Sequence, residues 1–181
     1  MGWIVLLIVV LLGLGFVGFY NRIITLENRV GNALAQVDVQ LKRRNDLIPN
    51  LVNTVKGYAA HEAGVFDRVN QARERMLSAG TVEEKSEASN ALSQALRSVF
   101  ALAEAYPQLK ADANFRELQG QLEETENKIA YARQFFNDTV LEFNNAVSTV
   151  PGIFFAGPMG KRPKPFFQTD EAARQVPSVN F

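Results

Sequence analysis

The apolar positions of this chain are unbroken at first and then fall into stripes. Gly2 to Tyr20 contains no charged side chain. At about 1.5 Å per residue the stretch reaches roughly 28 Å, close to the hydrocarbon thickness of a bilayer, so the pattern predicts one transmembrane helix. Trp3 and Tyr20 stand at its two ends, where amphipathic rings favour the membrane interface. A cleaved signal peptide would carry a basic leading region and a small-x-small cleavage site, and the segment offers neither, so an uncleaved anchor is the expectation. Gly13, Gly15 and Gly18 are not spaced as G-x-x-x-G and predict no dimerisation face within the span.

Beyond Tyr20 the apolar residues keep to steps of three and four: Ile23, Leu26, Val30, Ala33, Val37 and Leu41, then Ile48, Leu51 and Val55. This is one buried helix face with no linker before it, so the anchor is expected to run on as a stalk helix. Pro49 lies inside the pattern; without an N–H and with a ring that crowds the carbonyl of Asn45, it predicts a kink or short break. Val65, Val69, Ala72 and Met76 continue the stripe past Tyr58, weakened by Gly57 and Gly64, which mark a second break. Thr81 with Glu84 forms a capping box that starts a helix near Val82, with Ala88, Leu92, Ala95, Val99 and Leu102 as its core face. Tyr106-Pro107 ends it, Pro107 to Ala113 reads as a connection, and Asn114 with Glu117 reads as the next cap.

The last helix carries the most regular pattern. Phe115, Leu118, Leu122, Thr125, Ile129, Ala132, Phe136, Thr139, Phe143, Ala146 and Val150 alternate steps of three and four, a heptad seam of coiled-coil type over roughly 54 Å. Tyr131 and Phe135 lie off that seam and one turn apart, a second stripe that needs a neighbour. Pro151-Gly152 stops the helix. The remainder is rich in proline and in aromatics, with Phe154, Phe155, Phe166, Phe167 and Phe181, too apolar for a plain solvated linker. The expected fold is therefore all-α: a transmembrane anchor at 1–21, an elongated antiparallel bundle of three long helices at 22–152, or four if the first is split, and an irregular tail at 153–181 that docks on the bundle, a neighbouring subunit or the membrane.

Two long runs carry a family resemblance. QVDVQLKRRNDLIPNLVNTVKGYAAHE, from Gln36 to Glu62, and AYPQLKADANFRELQGQLEETENKIAYARQFFND, from Ala105 to Asp138, resemble the signature of the LemA family of bacterial membrane-anchored proteins, and the terminal PSVNF agrees. The resemblance implies a helical bundle behind a membrane anchor with a short external N-terminus. It brings no catalytic residues with it.

Composition changes this picture mainly by exclusion. Nineteen basic residues balance nineteen acidic ones, and no basic stripe is interleaved with aromatics, so nucleic acid is not an expected partner. The absence of cysteine removes disulfides, thiolate metal sites and cysteine nucleophiles. His61 is the lone histidine, and Val65 stands where His-Glu-x-x-His needs its second; without further histidines a di-iron carboxylate bundle is excluded as well. Phosphate loops, dinucleotide fingerprints and the hydrolase elbow are missing, so neither catalysis nor a cofactor is expected. Arg44 falls one turn from both Leu41 and Ile48. Its stem is expected against the core, with its head either paired to an acid such as Glu123 or Glu126 or snorkelling to a mixed surface. Lys161-Arg162-Pro163-Lys164 suits either anionic lipid headgroups or a soluble spacer. Arg22, Arg29 and Lys42 to Arg44 follow the span closely, which puts the soluble part in the cytoplasm by the positive-inside rule. The expected function is that of a non-enzymatic, homo-oligomeric scaffold or organiser at the bacterial inner membrane. The alternative is an adaptor that recruits a soluble partner. Arg44, Pro49, Tyr131, Phe135, Phe166, Phe167 and Phe181 are the candidate structural and interaction residues.

Overall fold

The computed structural model describes residues 2–168. Among them the chain is helical without strands, as the periodicity predicts: α1 (Gly2–Lys56), α2 (Ala63–Ser78), α3 (Val82–Glu104), α4 (Pro107–Ala111), α5 (Ala113–Ser148) and α6 (Gly152–Ala156). The chain divides into two compact units, Met1–Gln36 with Gln134–Pro165 and Val37–Arg133 with Phe166–Phe181.

The first unit contains the apolar start of α1. Its most apolar window has a mean hydropathy of 2.7 and none of it is covered by the rest of the chain, whereas a core helix of a soluble fold would be covered. Covered positions begin at Ile23 and continue through Leu26, Val30 and Ala33, while α5 contributes Phe136, Val140, Phe143 and Val147 to the same unit's core. Arg29 and Glu142 link the two helices at 3.8 Å. The predicted seam fails here: Val150 lies past the end of α5 and is exposed, Ala146 is half-buried, and Val140 and Val147 take the inner row. A straight helix of 3.6 residues per turn drifts about 20° per heptad against a strict 3.5 repeat, so over so long a helix the buried row slides off the original positions.

The segment expected to be irregular from Ile153 instead opens with a short helix, α6, and continues as a strap along α1 and α5. Phe155 stacks on Phe19 with ring centroids 5.5 Å apart. Asn144 donates to the carbonyl of Lys164 at 2.9 Å and accepts from its N–H at 2.7 Å. Both Lys161 and Lys164 pair with Glu27. The bond from Lys161 is the main reason the Glu27 carboxyl lies below its usual value, burial opposes it, and Lys164 adds to the lowering. A depressed carboxylate contributes stability that is complete above its unfolded value of 4.5 and is lost as the pH falls through the lower folded value. The strap is therefore expected to separate from α1 only below about pH 4.5 and to be insensitive to pH near neutrality. Distance measurements between labels on α1 and on residues 161–164 check this, and the acid transition should vanish in Glu27→Gln.

In the second unit, α1 buries Val37, Leu41, Ile48, Leu51 and Val55, α2 buries Phe66, Val69, Ala72 and Met76, and α3 buries Ala88, Leu92, Ala95, Leu96 and Val99. α5 adds Phe115, Leu122, Ile129 and Ala132. α1 passes through Pro49 and ends at Lys56, so the break falls at Gly57 rather than at the proline. Phe66 is buried where Val65 was expected, and Leu96 and Ala103 where Leu102 was expected.

The capping box forms as predicted: Thr81 Oγ1 accepts from the Glu84 N–H, and Glu84 reaches back to the Thr81 N–H. The expected connection after Tyr106 is a helical turn, α4, with Pro107 in the first-turn position where its missing N–H costs nothing. Leu109 of this turn is buried, which supplies a reason for it to order. The next cap is Asp112, not Asn114. Its Oδ1 accepts from the Phe115 N–H at 2.9 Å, and that bond is the largest cause holding its carboxyl below the usual range.

Candidate functional site

Arg44 is carried by the inner face of α1, between Leu41 and Ile48, and burial of that face takes its whole side chain inside: its exposure is 0%. Removing a guanidinium from water is costly unless each donor finds an acceptor. Nη1 donates to Glu126 Oε2 of α5 at 2.6 Å and to Ser93 Oγ of α3 at 2.9 Å. Nη2 donates to Ser89 Oγ at 2.6 Å and to the Ser89 carbonyl at 3.3 Å. One side chain thereby joins three helices, with Glu126 as its counter-charge.

A second arginine approaches the same serine. Arg133 of α5 donates through Nη2 to Ser89 Oγ and through Nη1 to Asn90 Oδ1 at 3.3 Å, and its guanidinium lies 4.7 Å from the centroid of the Phe167 ring. Burial, followed by the positive charge of Arg44, pushes Arg133 down to about 10, and Glu126 acts in the opposite direction. It remains a cation at neutral pH. Glu126 is thus the counter-charge nearest both guanidiniums, and hydroxyl, amide and π acceptors meet the Nη groups, while the buried Nε of each arginine has no hydrogen-bond partner among the described residues. Phe167 is 2% exposed, and Ser86 Oγ donates to the carbonyl of Gln168 at 2.8 Å, so residues 167–168 dock on this cluster.

Beside the cluster α3 and α5 border a groove of about 410 Å³, lined by Leu96, Arg97, Phe100, Leu122, Glu123 and Glu126 among others. Glu126 is half-exposed and is the link between groove and buried arginine. Ser93, which also lines the groove, donates its hydroxyl to Glu126 Oε1 at 3.0 Å, so the carboxylate is held by both the buried arginine and the serine. Among the described residues no group of three His, Asp or Glu side chains is placed to hold a metal.

The other residues singled out from sequence are dispersed. Pro49 lies within α1 of the second unit, exposed. Tyr131 in the second unit is 75% exposed and Phe135 in the first is 45% exposed. Phe166 is exposed, next to the buried Phe167, and Phe181 lies outside the described residues. Sequence reasoning missed Arg133, Ser89 and Ser93. Arg133 does carry a signal, because it neighbours the seam residue Ala132 and follows Ile129 by one turn. The serines lie in α3 one turn apart, beside the predicted face position Leu92.

An uncovered apolar segment leading into helices braced by a buried arginine defines a membrane-associated, all-helical protein. Residues 33–181 match the family model of the LemA family, and the chain belongs to that family. It is also similar to magnetosome protein MamQ of Magnetospirillum gryphiswaldense, 22% identical over 163 residues, covering 76% of this chain and 60% of the relative. Two MamQ proteins of Paramagnetospirillum magneticum are each 22% identical over 179 residues, covering 84% of this chain and 66% of the relative. The chain spans less than two thirds of the length of these curated relatives.

Proposed function

We propose that this LemA-family chain is a non-enzymatic, homo-oligomeric scaffold at the bacterial inner membrane, with residues 1–21 as anchor, a cytoplasmic bundle at 22–152, and residues 153–181 as a tail that takes part in assembly. The observation that carries this reading is Tyr131: a large aromatic, 75% exposed, on a helix that also exposes Phe135 and Leu141. Exposed tyrosines of this kind are typical anchors of protein contacts. Phe135 and Phe166, both exposed, are further contact residues in the proposal, and Phe181 belongs to it as part of the tail. The named relatives fit this reading, since MamQ is named for a cellular body and not for a reaction. Anchoring adds to it, because copies confined to one surface meet at raised effective concentration and share an orientation, which favours closed cyclic rings.

Size analysis of the solubilised protein with and without residues 153–181 is the test. The full chain is expected as a large homo-oligomer in mild detergents and the shortened chain as a smaller species. A monomer at micromolar concentration in every mild detergent would defeat the proposal. A second reading, an adaptor for a soluble partner, is favoured by the groove between α3 and α5, which combines apolar Leu96, Phe100 and Leu122 with Arg97 and Glu123. An adaptor would run small alone and co-purify with another protein.

A further inference from the structure

We infer that the turn from Val150 to Phe154 is a second membrane contact, seated in the boundary between headgroups and acyl chains beside the end of the span. The inference rests on Gly2–Tyr20 crossing the bilayer. Phe155 of α6 fixes the depth: its ring lies 5.5 Å from Phe19, stacked, and 5.5 Å from Phe16, edge on. Phe16 and Phe19 belong to the last turns of the apolar segment, within about 6 Å of its end at Tyr20 along the helix axis. A helix packed at that level shares the environment of those turns.

The outer face of this turn is apolar and uncovered. Phe154 is 69% exposed, and Val150 and Ile153 are exposed as well. The same chain provides no cover for them among the described residues, whereas the bilayer that surrounds Phe16 reaches the same level. Charge follows in the order an interfacial segment requires. Arg22, just past the span, and Arg162, just past α6, are both exposed, while Lys161 is held on Glu27. Apolar side chains at the acyl boundary with arginines at the phosphates give complementarity to an anionic leaflet. The tie between Asn144 and Lys164 and the close seat of Gly152 on the Ala146 carbonyl hold the turn in this place.

The chain lacks cysteine, so single-cysteine variants of the full protein can carry an environment-sensitive fluorophore in vesicles of phosphatidylcholine and phosphatidylglycerol. Leu11→Cys reports the span, Phe154→Cys and Val150→Cys the turn, and Asp138→Cys the exposed surface of α5. The expected result is quenching of the labels at 154 and 150 by shallow lipid-borne nitroxides, several-fold above that at 138, with protection from aqueous iodide. The label at 11 should answer to deep nitroxides. Iodide access at 154 and 150 equal to that at 138, with the label at 11 still protected, leaves the anchor standing and overturns the inference. Shielding from iodide without quenching by lipid nitroxide assigns the face to a second copy and overturns it as well. Iodide access at 11 removes the span itself, and the inference with it.

Discussion

Replacing Arg44 with methionine is expected to destabilise the second unit by about 1–3 kcal/mol, the range for buried hydrogen-bonding groups left unpaired, since its counter-charge Glu126 is half-exposed and water reaches it once the guanidinium is gone. The loss is mainly in what remains: Ser93 loses the guanidinium donor, Ser89 keeps only the bond from Arg133, and α1 is no longer tied to α3 and α5. Arg44→Lys should recover little, since an ammonium cannot reproduce the planar fork that reaches α3 and α5 together. Arg133→Met should cost less than Arg44→Met, because it removes the cation that shares a counter-charge and relieves its repulsion with Arg44. Combining Arg44→Met with Glu126→Gln should cost less than the sum of the two single changes, the mark of a direct coupling. Denaturant titration of the solubilised full chain, followed by hydrogen exchange in α3 and α5, reads all four. A cost for Arg44→Met below about 1 kcal/mol, the level of an exposed ion pair, would contradict a buried brace.

The second large effect is expected at Gly152. A Cβ at this position would stand 1.8 Å from the Ala146 carbonyl oxygen and 3.1 Å from its carbon. Because both are backbone atoms, the turn must move instead of a side chain, and such overpacking costs about 1–3 kcal/mol. Gly152→Ala should therefore free α6 and the strap behind it. Tryptic cleavage after Lys161, the one basic residue of this run not followed by proline, should accelerate about 5-fold to over 100-fold, in proportion to the open population. Gly157→Ala is the control, since its added Cβ meets nothing within 4 Å and should leave cleavage unchanged. Equal rates in the two variants would show that the strap is not held through this turn.

Much of this fold was legible because its helices obey simple periods and carry local stop and start signals. Thr81 and Glu84 sit side by side in sequence and make their bonds within one turn, so the start of α3 needed no knowledge of the rest of the chain. Arg44 was legible for a similar reason: its neighbours Leu41 and Ile48 fix which way it faces. Glu126 was one of two acids the pattern offered it, whereas Ser89 and Ser93 were not foreseen, because they are 45 and 49 positions away in sequence and reach it only through helix packing. Asp112 and Asn114 are both good caps, and the choice fell to Asp112 because the buried Leu109 orders the turn before it. The seam was overextended at Val150 because the helix ends at Ser148, and it shifted at Ala146 because a repeat of three and four in sequence does not reveal the slow rotation of a long helix. The docking of Phe167 on Arg133 pairs an aromatic in a proline-rich stretch with a charge that pattern alone assigns to the surface.

Self-association at the membrane is the central claim, and counting subunits in a bilayer tests it most directly. The chain carrying one fluorophore per copy, reconstituted at low density in a supported membrane, should give spots that bleach in several steps. Tyr131→Glu, which places a charge on an exposed aromatic position without touching the core, should shift the distribution toward single steps. Single-step bleaching of the unaltered chain at every density that still yields discrete spots would contradict the account.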